Sequence, residues 1–288
     1  MEIGPVARPI RVQTADHLTL HGLIYGSPAV DCVIHVHGKH GNHYENRFLW
    51  SLAAAYERHG LRLVVFSNRG AHVVAEAYRE GTLEFTGGAV ERFEECVLDI
   101  EAVRSGLLQS GMRAVAIQGH SFGCEKVIFH ARSCPGDYVN ILLSPADTYA
   151  NALEFFDDHL PDPEPPSRCE KHSVVSWSTD RDAAPYGVCA SDGSWYPVPI
   201  SERSLHEMFR GEAVRQCSVL AEPLVGRFIV YLGDRDRLQI HGTCHQARLL
   251  SSVLSNIEFV SDPNGDHHLG PDIEANADAI ARALVSKL

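Results

Sequence analysis

The residues best suited to chemistry fall at three separated places in the chain. "IQGHSFGCEKV" holds Gly119-His120-Ser121-Phe122-Gly123, a G-x-S-x-G pentapeptide between a β-rich run, Ala114–Gln118, and a helical run, Cys124–Ala131. A serine on a sharp strand-to-helix turn projects its hydroxyl from the sheet. Small residues two before and two after let strand and helix approach, and the helix N-terminus favours negative charge there. A serine hydroxyl needs a base, and the base needs an orienting acid. In a strand–turn–helix setting these follow the nucleophile in the order acid, then histidine. "VYLGDRDRL" offers Asp234 and Asp236 after a β-run, and Asp147 in "LLSPADTY" is an outside candidate. "FVSDPNGDHHLG" offers His267 and His268, whose side chains point apart so that only one can serve. The turn "NGDH" places a histidine just past a glycine-containing loop and favours His267; Asp266 is too close in sequence to be its acid.

A fourth stretch, "CVIHVHGKHGNHYEN", admits two readings. His35-x-His37-x-x-His40 resembles the H-x-H-x-D-H signature of metallo-β-lactamase-like hydrolases, in which strand-end histidines bind zinc. Here Lys39 stands where that pattern has Asp, and a cation opposes a metal. No second ligand set follows, so no metal is expected. In the other reading the stretch supplies an oxyanion hole. Backbone N–H groups serve this best, because they are fixed and have no proton to lose. One comes from Phe122, just after the serine, and the other from Lys39, just after His37-Gly38. Gly38 lets the chain turn close to a substrate, and His37 holds the loop by hydrogen bonds. His35 is a core residue, and His40 and His43 line the pocket or face water.

These residues must be positioned by the elements around them. Arg8–Gln13 and Leu18–Tyr25 read as an antiparallel edge hairpin around "TADH". Cys32–His37, Leu61–Phe66, Ala114–Gln118, Tyr138–Leu143, Arg227–Tyr231 and Ile257–Val260 read as strands. Helical spacing appears in Phe48–Arg58 (stopped by Gly60), Glu91–Gln109, Cys124–Ala131, Gln246–Ser252 and Ile273–Lys287. Alternating strands and helices predict a mainly parallel sheet covered on both faces. The pattern breaks between 145 and 222, where "PDPEPP" cannot be regular structure. This divides the chain into a core, 1–144 with 223–288, and an inserted lid or cap, 145–222. Trp177, Tyr186, Trp195 and Tyr196 either pack the lid onto the body or, as Trp177 and Trp195 in particular, line the substrate pocket.

Composition narrows the function. With 288 residues, 44% hydrophobic and 22% charged, the chain reads as a soluble globular protein. A formal charge of −12 argues against nucleic acid or an anionic membrane as partner, since both need a basic face. The N-terminus lacks a secretory pattern and no apolar run reaches membrane-spanning length, which points to the cytoplasm. Eight scattered cysteines without CxxC read as reduced thiols packed as small hydrophobes.

Taken together, "HVHGK", "GHSFG", "LGDRD" and "GDHH" resemble the α/β-hydrolase superfamily in their order and their places between strands. Strand ends in that fold commonly read G-x-x-D, which selects Asp236. "SNRGAH", "GGAVERFEECVLDIEA" and "LLSPAD" are similar to a poorly characterised branch near esterases that open siderophores and related small esters. The resemblance implies an α/β-hydrolase fold with an inserted lid. It implies Ser121, Asp236 and His267 as triad and the amides of Lys39 and Phe122 as oxyanion hole; the loop residues His37, Gly38 and His40 themselves read as part of the substrate pocket. Arg69 of "SNRG" reads as the centre of a structural hydrogen-bond network rather than a carboxylate binder, and the triad chemistry calls for a small-molecule acyl substrate and no cofactor. The expected activity is serine hydrolysis of an ester, thioester or amide through an acyl-enzyme on Ser121. The same triad could serve an acyltransferase or cyclase, and the rival classes are a non-catalytic binding protein and a metal-dependent hydrolase built on His35, His37 and His40.

Overall fold

The β-branched and apolar runs of the chain assemble into one eight-stranded sheet. In chain order its strands are β1 (Ala7–Gln13), β2 (Thr19–Tyr25), β3 (Asp31–Val36), β4 (Arg62–Phe66), β5 (Arg113–His120), β6 (Val139–Leu143), β7 (Arg227–Gly233) and β8 (Ile257–Asp262). The computed structural model describes residues 5–146, 222–239 and 241–288, and between them 174–175, 187–189, 195–197, 200–201, 203–204 and 207. The spatial order is β1-β2-β4-β3-β5-β6-β7-β8. β2 runs antiparallel to both β1 and β4, and every other neighbouring pair is parallel. The first two runs therefore form the expected edge hairpin.

Parallel strands need crossovers, and the helices supply them on both faces. They are α1 (Phe48–Arg58), α2 (Cys96–Gln109), α3 (Phe122–Ser133), α4 (Thr243–Val253) and α5 (Ile273–Lys287). Successive strand side chains point to opposite faces, so each strand feeds two cores. Val33, Leu63, Val65 and Ile229 pack with Phe48, Leu52 and Tyr56 of α1 and with Ile280 and Leu284 of α5. Ile34, Val36, Phe66 and Ile117 pack with Ile100 and Val103 of α2, Val127 and Ile128 of α3 and Leu250 of α4. A register shift at Cys32/Val33 against β5 turns Val115 and Ala116 toward the same core.

Two local expectations needed correction, and one element had not been expected. The helix expected over 91–109 begins only at Cys96, after a 3₁₀ turn at Phe93–Glu95. Arg92 is extended, and Glu91 lies before the turn with its side chain drawn inward. The unexpected element is a hairpin, Ala75–Arg79 with Thr82–Thr86, closed by Glu80 (φ 50°) and Gly81 (φ 80°). Its alternation is short and weakly apolar, so periodicity did not reveal it. The second correction lies in the stretch expected to be irregular, where two short antiparallel ladders join Val174–Val175 with Ile200–Ser201 and Gly187–Cys189 with Trp195–Pro197. Among the described residues no helix is long and apolar enough to cross a membrane. Cys32, Cys96, Cys124, Cys134 and Cys244 are free thiols, the first three of them buried.

Candidate active site

Strand β5 ends at His120 and helix α3 begins at Phe122, leaving Ser121 alone in the turn. Its backbone sits at φ 54° and ψ −128°, a conformation side chains rarely adopt. The turn is held because the Ser121 N–H donates to the Leu143 carbonyl at 3.0 Å and its carbonyl accepts from the Cys124 N–H at 2.8 Å. Both flanking glycines are sterically required. A methyl group on Gly119 would lie 2.2 Å from the Gly123 carbonyl oxygen, and one on Gly123 would lie 2.3 Å from that of Val36. Ser121 itself is half-buried, so its hydroxyl is not sealed in the core.

The loop after β3 runs against this serine. A methyl group on Gly38 would come within 3.0 Å of Ser121 Cβ and 3.5 Å of its Oγ. The Asn68 N–H donates to His37 Nε2 at 3.0 Å, so the ring proton is on Nδ1, which donates to the Gly38 carbonyl at 2.8 Å. Burial and the nearby Lys126 ammonium push His37 down to about 3, and the ring stays neutral. Gly38 C=O and Lys39 N–H belong to one trans peptide and point in opposite directions. By holding the carbonyl, His37 aims the Lys39 N–H the other way. Among the described residues neither the Lys39 nor the Phe122 N–H has a hydrogen-bond partner.

Of the competing acids, Asp234 is exposed and accepts from Thr243 Oγ1 at 2.5 Å at the start of α4. Asp236 is buried, and its Oδ2 lies 2.8 Å from His267 Nδ1. Its Oδ1 accepts the Leu238 N–H at 2.9 Å. A carboxylate only accepts, so Nδ1 of His267 carries a proton, and in the neutral ring Nε2 holds the lone pair. Of the twin histidines, His267 is half-buried and His268 exposed. Asp266 caps its own loop, accepting the His268 and Gly270 N–H groups at 2.8 Å each. The residue before the serine ties the two halves together: His120 Nε2 donates to the His267 carbonyl at 2.7 Å, and the two rings lie 4.8 Å apart.

The remaining residues sort as follows. His35 is buried and bonds Gln118 Nε2 through Nδ1 at 2.8 Å, which fits a core residue. His43 bonds Ser67 Oγ at 2.8 Å. Among the described residues, the one group whose ligand atoms gather within 4.8 Å is Glu101, His130 and Cys134, not His35, His37 and His40. Arg104 occupies both oxygens of that Glu101, at 2.8 and 2.7 Å. Asp147, Trp177 and Tyr186 lie outside the described residues; Trp195 and Tyr196 are described only as backbone of a short ladder.

The "SNRG" block braces the site from behind. Arg69 is buried and bonds Asp99 through Nε at 3.0 Å and Nη2 at 2.7 Å, with Asp16 and Glu95 also in contact. Asn68 serves His37, and its Oδ1 accepts from Lys126 Nζ at 3.3 Å. Sequence reasoning missed Glu91, Asn68, His120 and Lys126. The usable signal was Lys126 on the apolar face of a helix, "CEKVIF", where a cation needs a buried partner.

No protein-family model matches the chain, and no curated protein matches it in sequence. Solved structures match in fold. Est1E from Butyrivibrio proteoclasticus bound to ferulic acid superimposes with a TM-score of 0.66 at 15% identity, covering 96% of this chain and 98% of that one. The Pyrococcus furiosus esterase Pf2001 gives 0.60 at 14% identity, over 98% and 90%. The alpha/beta hydrolase GrgF from Penicillium sp. sh18 gives 0.61 at 13% identity, over 97% and 99%. At these identities the likeness is one of fold.

Proposed function

From the premise that the chain has the α/β-hydrolase fold, we propose that it is a serine hydrolase cleaving an ester, thioester or amide of a small molecule. The observation that carries this reading is the 2.8 Å bond between His267 and buried Asp236, made beside an elbow that holds Ser121 at φ 54°. Strain of that kind persists where the surrounding structure enforces it, most often at functional sites.

In this mechanism Ser121 Oγ attacks the carbonyl carbon while His267 Nε2 takes its proton. Asp236 holds the imidazole in the needed tautomer and stabilises the imidazolium. The carbonyl π pair moves onto oxygen, and the Lys39 and Phe122 N–H groups receive that oxyanion, each worth about 3 kcal/mol. Collapse of the tetrahedral intermediate expels the leaving alcohol, thiol or amine, which takes the proton from His267. Water, deprotonated by His267, then attacks the acyl-enzyme and releases the acid and the serine. All the groups used are side chains and amides of this chain.

Residues 145–222 act as a lid in this proposal. Support comes from its described part, where the Ser201 N–H donates to the Ala89 carbonyl at 2.7 Å and Lys39 Nζ reaches Ser204 Oγ at 3.4 Å. A structural neighbour binds ferulic acid, an aromatic acyl compound. Together with Trp177, Tyr186, Trp195 and Tyr196 in the lid sequence, that favours a bulky, aromatic acyl group here. The test is labelling with a fluorophosphonate and a panel of p-nitrophenyl and aryl-acyl esters. Wild type should label on Ser121 and hydrolyse at least one ester, and Ser121→Ala should do neither. A wild type that fails both assays, or a Ser121→Ala that passes, would exclude the reading.

A further inference from the structure

Behind the proposed oxyanion hole lies a buried charge cluster that the mechanism does not use. Glu91 Oε1 is 2.7 Å from Lys39 Nζ, and Glu91 Oε2 is 2.7 Å from Lys126 Nζ. Their side chains are 3%, 10% and 1% exposed in the order Glu91, Lys39, Lys126. Lys39 belongs to the loop after β3, and Lys126 lies on α3, one turn beyond Phe122. Both ammonium groups lie over the Phe122 ring, Lys39 Nζ 5.6 Å and Lys126 Nζ 5.5 Å from its centroid. Space for the carboxylate exists because residue 70 is glycine: a methyl group there would lie 1.8 Å from Glu91 Oε2.

Such a cluster is a poor device for stability. Desolvating three charges is costly, and apolar replacements of buried ion pairs are often as stable or more so. What it does provide is one rigid carboxylate joining the two elements that carry the Lys39 and Phe122 amides. We propose that Glu91 is a positioning residue, whose grip on Lys39 and Lys126 fixes the spacing of the two N–H groups that receive the oxyanion. The inference rests on the serine-hydrolase reading above. Donors aimed at the oxyanion act in the transition state rather than on bound substrate. Loosening them therefore lowers kcat and leaves KM nearly unchanged.

The experiment compares full-length wild type, Glu91→Gln, Gly70→Ala and the double variant Glu91→Gln/Lys126→Met on p-nitrophenyl acetate. Active sites are counted by end-point fluorophosphonate labelling, so that misfolded protein drops out of kcat. The double variant keeps the wild-type net charge of the cluster but lacks the tie. Gly70→Ala displaces the carboxylate without changing any charge. Each variant should lose about 10–100-fold in kcat per labelled serine with KM within about threefold. The proposal is overturned if kcat per labelled serine stays within about twofold of wild type, or if the loss appears in KM. It is equally overturned if the double variant recovers full kcat, which would make charge rather than geometry decisive, or if every variant is insoluble, which would make Glu91 a folding residue. A wild type that neither labels nor hydrolyses sinks the serine-hydrolase reading itself, a result distinct from an active wild type with unaffected variants.

Discussion

Replacing Asp236 by Asn probes the pair on which the proposed chemistry depends. The wild-type carboxylate accepts Leu238 N–H at 2.9 Å on Oδ1, and His267 Nδ1 at 2.8 Å and Gln239 Nε2 at 3.4 Å on Oδ2. The Leu238 donor is backbone and cannot be inverted, so the asparagine oxygen must take the Oδ1 place. Its NH₂ then faces His267. Gln239 can turn its amide to meet that group, because among the described residues its Oε1 has no partner. His267 has to accept at Nδ1, which moves the ring proton onto Nε2, where the mechanism needs a lone pair. The expected loss in kcat is about 10³–10⁴-fold, roughly 4–5.5 kcal/mol of barrier. Shape is conserved, so the melting temperature should move by only a few degrees. The assay is p-nitrophenyl acetate turnover per fluorophosphonate-labelled site, with Asp234→Asn as the companion. Among the described residues the Asp234 side chain bonds only Thr243 at the start of α4, and its variant should stay within about twofold of wild type. An Asp236→Asn enzyme within tenfold of wild type, or an Asp234→Asn enzyme as impaired as Asp236→Asn, would refute the assignment.

Other consequences follow from the same geometry. Gly119→Ala forces a methyl group to 2.2 Å from the Gly123 carbonyl and should cost about 3 kcal/mol, a melting temperature roughly 6–12 °C lower by scanning calorimetry; an unchanged melting temperature would mean the elbow is not tight. Ser121→Gly removes the side chain from a φ of 54° and should abolish turnover while stabilising the fold by about 1–2 kcal/mol, read as a higher denaturant midpoint. Burial pushes His35, His37 and His40 each down to about 3, whereas in the unfolded chain they titrate near 6.5. The unfolded state then binds protons that the folded state refuses, so stability is full above about pH 6.5 and is lost as pH falls toward 3. Three such groups give about 4 kcal/mol per pH unit across that window, enough to unfold a typical domain near pH 4. Circular-dichroism melts showing a slope under about 1 kcal/mol per unit between pH 6 and 4.5 would contradict this.

Much of the molecule was readable from local pattern. The apolar runs with flanking helical spacing gave the parallel sheet and its antiparallel start, because burial on two faces leaves an unbroken hydrophobic signature in each strand. Gly119-x-Ser121-x-Gly123 gave the elbow, because the strain and the close approach are both properties of five consecutive residues. Choices between neighbours were less legible. Asp236 and Asp234 differ by two positions in one loop, yet one is buried against His267 and the other, exposed, accepts from the Thr243 hydroxyl at the start of α4. The G-x-x-D resemblance named Asp236, and the fold supplies the physical reason by burying that carboxylate against His267. The brace behind the oxyanion loop was left to the fold. Glu91 and Lys126 are 35 positions apart, Lys39 and Glu91 52 apart, and nothing in their spacing announces contact. Sequence thus determined which local shapes could form. The pairing of distant charges, and the turning of the Lys39 amide by His37, waited on tertiary packing, because a charge leaves water only once its partner is already in place.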